Sequence, residues 1–144
     1  MTGTSPRASK ITRYEDLEVY QRSFALLRPI HEMAKSFPDY EKFALADQIR
    51  RACRSVPTNI AEGYGRRQSP KDFRHFLSIA MGSANEMVVH LRIVQAVDYA
   101  DTARCDEWIE EYDVIGRQLH RLIDAWRGFD KKPTSNLQPP GDQL

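Results

Sequence analysis

The sequence predicts an all-α protein, an up-down antiparallel four-helix bundle. Four stretches carry apolar residues three and four apart, the spacing of one helical face. Almost nothing alternates with the period of two that a half-buried strand requires. The joints between the four stretches are short and carry the punctuation of helix ends, which makes chain neighbours antiparallel. With 144 residues, 41% hydrophobic and 28% charged, the chain reads as one globular domain. The bundle is expected over residues 14–129, between a flexible segment 1–13 and a disordered, proline-rich tail 130–144.

The first helical stretch runs from about Tyr14 or Asp16 to Ser36, with Leu17, Tyr20, Phe24, Leu27, His31 and Ala34 in step. Pro29 lies inside it and predicts a kink or local break, because proline lacks an N–H and clashes with the preceding turn. After Phe37-Pro38-Asp39-Tyr40-Glu41 a second helix begins near Glu41 and aligns Leu45, Ile49, Ala52, Cys53, Val56 and Ile60. Gly63 and Gly65 suit its C-terminus. Pro57 predicts a bend or break near Arg54-Ser55. Asn59 and Thr58 are placed to cap freed backbone groups, and Glu62 to pair with an arginine.

The third start is the sharpest signal. Ser69-Pro70-Lys71-Asp72 sets a capping hydroxyl, a proline at the first helical position and a carboxylate at the third. Phe73, Phe76, Leu77, Ala80, Ala84, Met87, Leu91 and Val94 continue to about Asp98. Gly82 inside this run predicts a close helix approach, with a tolerated surface glycine as the alternative. The last helix starts near Asp101-Thr102, and Trp108, Tyr112, Ile115, Leu119, Leu122 and Trp126 form a coiled-coil-like seam.

The net charge of +1 is uninformative, but its distribution is uneven. Arg50, Arg51, Arg54, Arg66, Arg67, Lys71 and Arg74 crowd one quarter of the chain. Asp98, Asp101, Asp106, Glu107, Glu110, Glu111 and Asp113 crowd the start of the last helix. Guanidinium groups offer paired donors to phosphate, so the basic run is the candidate nucleic-acid-binding set. The same run equally fits a solvated face paired with the acidic helix, in this chain or in a neighbouring subunit.

Catalytic readings find little support. A di-metal bundle needs Glu-x-x-His pairs, whereas Glu86 and His90 are four apart, and His31, His75 and His120 do not follow a glutamate at that spacing. His31 and His90 read as core or interface histidines. A Cys53–His pair is open from sequence alone, on an apolar face where thiols are usually inert. Gly63-Tyr64-Gly65 follows a helix rather than a strand and lacks the further glycine of a phosphate loop. No metal or cofactor is therefore expected. Cys53 and Cys105 read as reduced thiols, and no run approaches a membrane span, which together suggest a cytoplasmic protein without membrane contact.

A longer pattern points further. Tyr14 to Tyr20, Phe37-Pro38, Glu41 to Leu45, Gln48 to Ala52, Ser55-Val56-Pro57-Thr58-Asn59-Ile60-Ala61-Glu62-Gly63 and Arg66-Arg67 resemble the proteins of the 23S rRNA-intervening-sequence type. The similarity continues through Phe73, Phe76, Leu77, Ala80, Gly82-Ser83 and Glu86, over about residues 14 to 127. The accessory protein of diversity-generating retroelements looks like a relative. The resemblance implies a four-helix bundle assembled as a homopentamer around a central channel, with no enzymatic activity. It further implies RNA or DNA as partners and, for the retroelement relative, a reverse transcriptase or another adjacently encoded protein. The resulting expectation is a non-enzymatic, oligomeric accessory protein that binds nucleic-acid phosphates. The alternative is a homo-oligomeric interaction scaffold that binds no nucleic acid.

Overall fold

A computed structural model describes residues 10–131. The flexible segment and the proline-rich tail expected from the sequence lie largely outside that range. Five α-helices follow one another: α1 (Glu18–Ala25), α2 (Leu27–Lys35), α3 (Leu45–Gly65), α4 (Pro70–Ala96) and α5 (Thr102–Trp126). Short 3-10 turns stand at Tyr14–Asp16, Asp39–Glu41 and Arg127–Lys131. Among the described residues there is no strand.

The first predicted helix is the pair α1 and α2. Pro29 cannot donate to the carbonyl of Ala25, and the helix breaks one residue later, at Leu26. Of the expected stripe Leu17 and Ala34 are buried, but between them the inward stripe is a different one. Val19, Ser23, Leu26, Ile30 and Met33 face inward. Tyr20 is half-buried and Phe24 is 54% exposed, and their rings stack on each other at 5.6 Å along the surface.

Pro57 behaves differently. Helix α3 runs unbroken through it, so the expected break near Arg54-Ser55 is absent. Asn59 Nδ2 donates to the Ser55 carbonyl at 2.8 Å and to Ser55 Oγ at 2.9 Å, and Ser83 Oγ of α4 reaches Ser55 Oγ at 2.8 Å. Side-chain bonds thus brace the turn that the proline weakens, while the Pro57 ring itself is buried. The helix starts at Leu45, where Glu41 Oε1 accepts from the Leu45 N–H at 3.3 Å.

The remaining caps follow the sequence closely. Ser69 Oγ accepts from the Asp72 N–H at 3.2 Å with Pro70 at the first helical position. Asp101 Oδ2 accepts from the Arg104 N–H at 3.3 Å. Between α4 and α5, Asp98 takes φ 59°, and the N–H groups of Tyr99 and Asp98 bond the carbonyls of Val94 and Gln95. That is a Schellman ending with aspartate in the left-handed position, which short polar side chains tolerate.

Cross-helix bonds give the arrangement. Ser55 meets Ser83 while Gly63 meets Phe73 and Phe76, so α3 and α4 are antiparallel. Arg74 meets the Trp126 carbonyl and Arg92 meets Asp106, so α4 and α5 are antiparallel. Arg22 meets Glu111 and Gln118 meets Glu18, which sets α1 antiparallel to α5. Helix α4 packs against both α3 and α5, and α1 touches the same two from the opposite side. The α3 and α5 rods therefore stand on opposite corners.

The close approach expected at Gly82 is found at Gly63 instead. A Cβ on Gly82 would meet nothing within 4 Å, whereas one on Gly63 would lie 3.0 Å from Phe76 Cβ and 3.2 Å from the Phe73 carbonyl. Gly82 is exposed on the outer side of α4. Inside, Phe73 and Trp126 meet edge-to-face at 4.5 Å and close one end of the core.

Candidate functional site

The seven basic residues singled out by sequence do not form one patch. Helix α3 rises 1.5 Å per residue, so the sixteen positions from Arg50 to Arg66 span about 24 Å. Arg50, Arg51 and Arg54 sit in its first half, while Arg66, Arg67, Lys71 and Arg74 lie at the far end, where α3 passes into α4.

Each group is arranged locally. Arg51 is highly exposed, and its Nε lies 3.0 Å from Asp47 Oδ2. Arg50 reaches Asp47 at 3.5 Å and donates to the Lys42 carbonyl at 3.0 Å. Arg54 Nε donates to His31 Nε2 at 3.1 Å. At the far end Arg66 pairs with Glu62 at 2.8 Å, the pairing anticipated for Glu62, and its guanidinium lies 5.2 Å from the Phe76 ring centroid. Arg67 stacks on Tyr64 at 4.0 Å and donates to the Tyr64 carbonyl. Arg74 donates to the Trp126 carbonyl at 3.1 Å, and Lys71 is exposed on the first turn of α4.

Among the described residues the carboxylates of α5 meet other cations than the arginines of α3: Glu111 pairs with Arg22 at 2.9 Å, Asp106 with Arg92 at 3.3 Å and Glu107 with Arg104 at 4.0 Å. Glu110 and Asp113 are exposed. The α3 arginines and the α5 carboxylates thus stand on helices at opposite corners of the bundle.

The Cys53–His pairing left open by sequence resolves into a structural contact. Cys53 Sγ lies 3.8 Å from His31 Nδ1, yet that nitrogen is 2.8 Å from the Leu27 carbonyl and must donate to it. His31 Nε2 accepts from Arg54, so neither ring nitrogen is free to take the thiol proton. Burial pushes the Cys53 thiol up to about 11, and burial also raises Cys105. Both are buried and inert rather than nucleophilic. His90 is buried and meets Glu86 at 2.9 Å. Among the described residues no three His, Cys, Asp or Glu side chains converge to hold a metal ion.

The model of the 23S rRNA-intervening sequence proteins matches residues 15–121, most of the chain. The chain belongs to this family. A solved relative, a protein of unknown function from the S23 ribosomal protein family of Bacteroides thetaiotaomicron, superposes with a TM-score of 0.66 at 26% identity. The similarity covers 74% of this chain and 95% of that one, so the common fold is the helical body. No curated protein matches the chain in sequence. No helix among the described residues is long and apolar enough to cross a membrane.

Two surface features escaped the sequence reading. One is a stripe on the outer side of α4, where Ile79, Val89, Ile93 and Val97 are 39–58% exposed. The other is the loop before α3, which holds Tyr40 75% and Phe43 85% exposed. The first was legible as a second apolar spacing in α4, hidden by the stronger core spacing. The second carries no periodic signal.

Proposed function

We propose that this family member is an oligomeric, cytoplasmic accessory protein that contacts nucleic-acid backbones and carries out no catalysis of its own. The observation that supports it is the exposure of two arginine groups, one in the first half of α3 and one where α3 passes into α4, with Arg51 79% and Arg66 53% exposed at the side chain. Their partners, Asp47 and Glu62, lie on the same helix. Exposed pairs of this kind are worth about 0–1 kcal/mol, so a phosphate displaces them readily. Arg50, Arg51 and Arg54 would hold one stretch of backbone, and Arg66, Arg67, Lys71 and Arg74 another, positioning a strand without reading its sequence.

Titration of labelled RNA and DNA at low and moderate salt tests this. Affinity should fall steeply with salt, because each neutralised phosphate releases counterions. It should fall again in Arg51→Glu and Arg66→Glu. No binding at low salt, or binding indifferent to both reversals, overturns the reading.

A protein-interaction scaffold is the second reading, and the α4 stripe favours it. Ile79, Val89, Ile93 and Val97 are spaced for one helical face and are exposed among the described residues. With basic and acidic faces on opposite corners, one copy offers the next a complementary side, an arrangement that suits closed rings. Five copies are the number the resemblance implies. Light scattering decides the stoichiometry, and Val89→Glu with Ile93→Glu should dissociate the assembly without loss of helicity. An adjacently encoded protein, such as a reverse transcriptase, is the further partner to seek by co-expression.

A further inference from the structure

We infer that the loop before α3 is a stacking platform for unpaired bases, so that this end of the protein binds single-stranded rather than duplex nucleic acid. The inference rests on the phosphate-binding reading and specifies its ligand.

The loop presents two aromatic rings to solvent. Phe43 is 85% exposed and Tyr40 is 75% exposed, the two most exposed aromatic rings among the described residues. A lone exposed ring needs no explanation. Two within four residues, beside a cluster of cations, are a different matter. Lys42 Nζ lies 5.4 Å from the Phe43 ring centroid. Arg50 bonds the Lys42 carbonyl, which places the start of the α3 arginine group directly against the loop, with exposed Arg51 and Arg54 one turn on.

The loop is also held in place. Tyr40 and Tyr99 hydroxyls meet at 2.7 Å, and the Tyr99 hydroxyl donates to Glu41 Oε2 at 2.8 Å. Glu41 Oε1 in turn accepts from the first N–H of α3, and the Tyr99 ring lies 5.1 Å from that of Phe37. The rings therefore project from a fixed backbone, which lowers the ordering cost of a ligand. The nearby carboxylates do not oppose an anion strongly. Glu41 is engaged by Tyr99 and the helix start, and Asp47 is shared by Arg50 and Arg51.

Aromatic faces beside a basic track are what unpaired bases require: the rings take the bases and the arginines take the phosphates. In a duplex the base faces are already stacked and closed to side chains. A hydrophobic protein partner would use the rings without the cations, and it is an outcome of the test.

The experiment compares a labelled oligothymidylate with a blunt duplex of equal length, using the full chain at low salt. Wild type should prefer the single strand, and Phe43→Ala should weaken single-strand binding about tenfold. Tyr40→Ala should act in the same direction, and duplex binding should stay unchanged. Both rings are exposed, so circular dichroism should confirm intact folding. Arginine-dependent binding that ignores both ring substitutions overturns the platform and leaves the phosphate reading standing. Ring substitutions that change the assembly size but not nucleic-acid affinity also overturn it, in favour of a protein contact. Absence of binding to either probe by wild type overturns both.

Discussion

Replacing Gly63 by alanine should destabilise the protein, although alanine is the better helix former by about 1 kcal/mol. An added Cβ would sit 3.0 Å from Phe76 Cβ, 3.2 Å from Phe73 Cδ1 and 3.2 Å from the Phe73 carbonyl oxygen. Carbon atoms prefer separations of about 3.5–4.0 Å, so α3 and α4 must part by about half an ångström. Neither neighbour yields easily, since one is a Cβ and another is backbone. Phe73 is also wedged against Trp126. Overpacking of this kind costs about 1–3 kcal/mol. Set against the helical gain, the net loss is about 1 kcal/mol, or about 4 °C in Tm. Gly82→Ala is the matched control, because its Cβ would meet nothing within 4 Å. It should instead raise stability by up to about 1 kcal/mol. Thermal unfolding followed by circular dichroism reads both. A Gly63→Ala protein melting at or above wild type would refute the argument that contact between α3 and α4 is backbone-limited there.

Other substitutions probe separate features. Ser69→Ala removes the hydroxyl that accepts from the Asp72 N–H and should cost about 1 kcal/mol in urea unfolding. Burial lifts Cys53 from 9.0 to about 11, so a thiol reagent at pH 8 should label it only after denaturation. The same shift contributes stability present below about pH 9 and lost as pH rises towards 11, and Cys53→Ala should flatten that part of the alkaline profile. Bonds from Arg22, then Gln118, hold Glu18 below its reference value of 4.5. Its contribution is present above that pH and lost as pH falls through the folded value, so Glu18→Gln should make acid unfolding less steep.

What the sequence disclosed depended on how local the cause was. Ser69, Pro70 and Asp72 carry their cap within four residues, and the cap forms as written. Pro29 and Pro57 look alike in sequence yet differ in outcome. Pro57 is flanked by Asn59 and by Ser83 from another helix, and only the fold brings Ser83 to Ser55. The small residues of α4 announced a close approach without saying on which side, so Gly82 attracted notice that belonged to Gly63. In the first helix two apolar stripes overlap, and residues of both are buried on either side of the break at Leu26. Charge was the least legible property. Residues adjacent along the chain were read as adjacent in space, whereas a long helix separated Arg51 from Arg66 and carried α3 to the corner opposite α5. The Tyr40 and Phe43 rings escaped notice because exposure in a loop has no period.

The break at Leu26 also bears on how the molecule opens. It leaves α1 with eight residues and α2 with nine, both shorter than an isolated helix needs to persist in water. Their amides therefore depend on docking against α3 and α5 for protection. Helix α4, with twenty-seven residues, packs its inner face against two long neighbours. Native-state hydrogen exchange should show residues 18–35 as the earliest opening unit, well below the global unfolding free energy, with α4 the last to exchange. A segment that detaches first is also one that can re-dock on another copy, so in the assembly proposed above the proline that splits the first rod would open a route to exchange of arms.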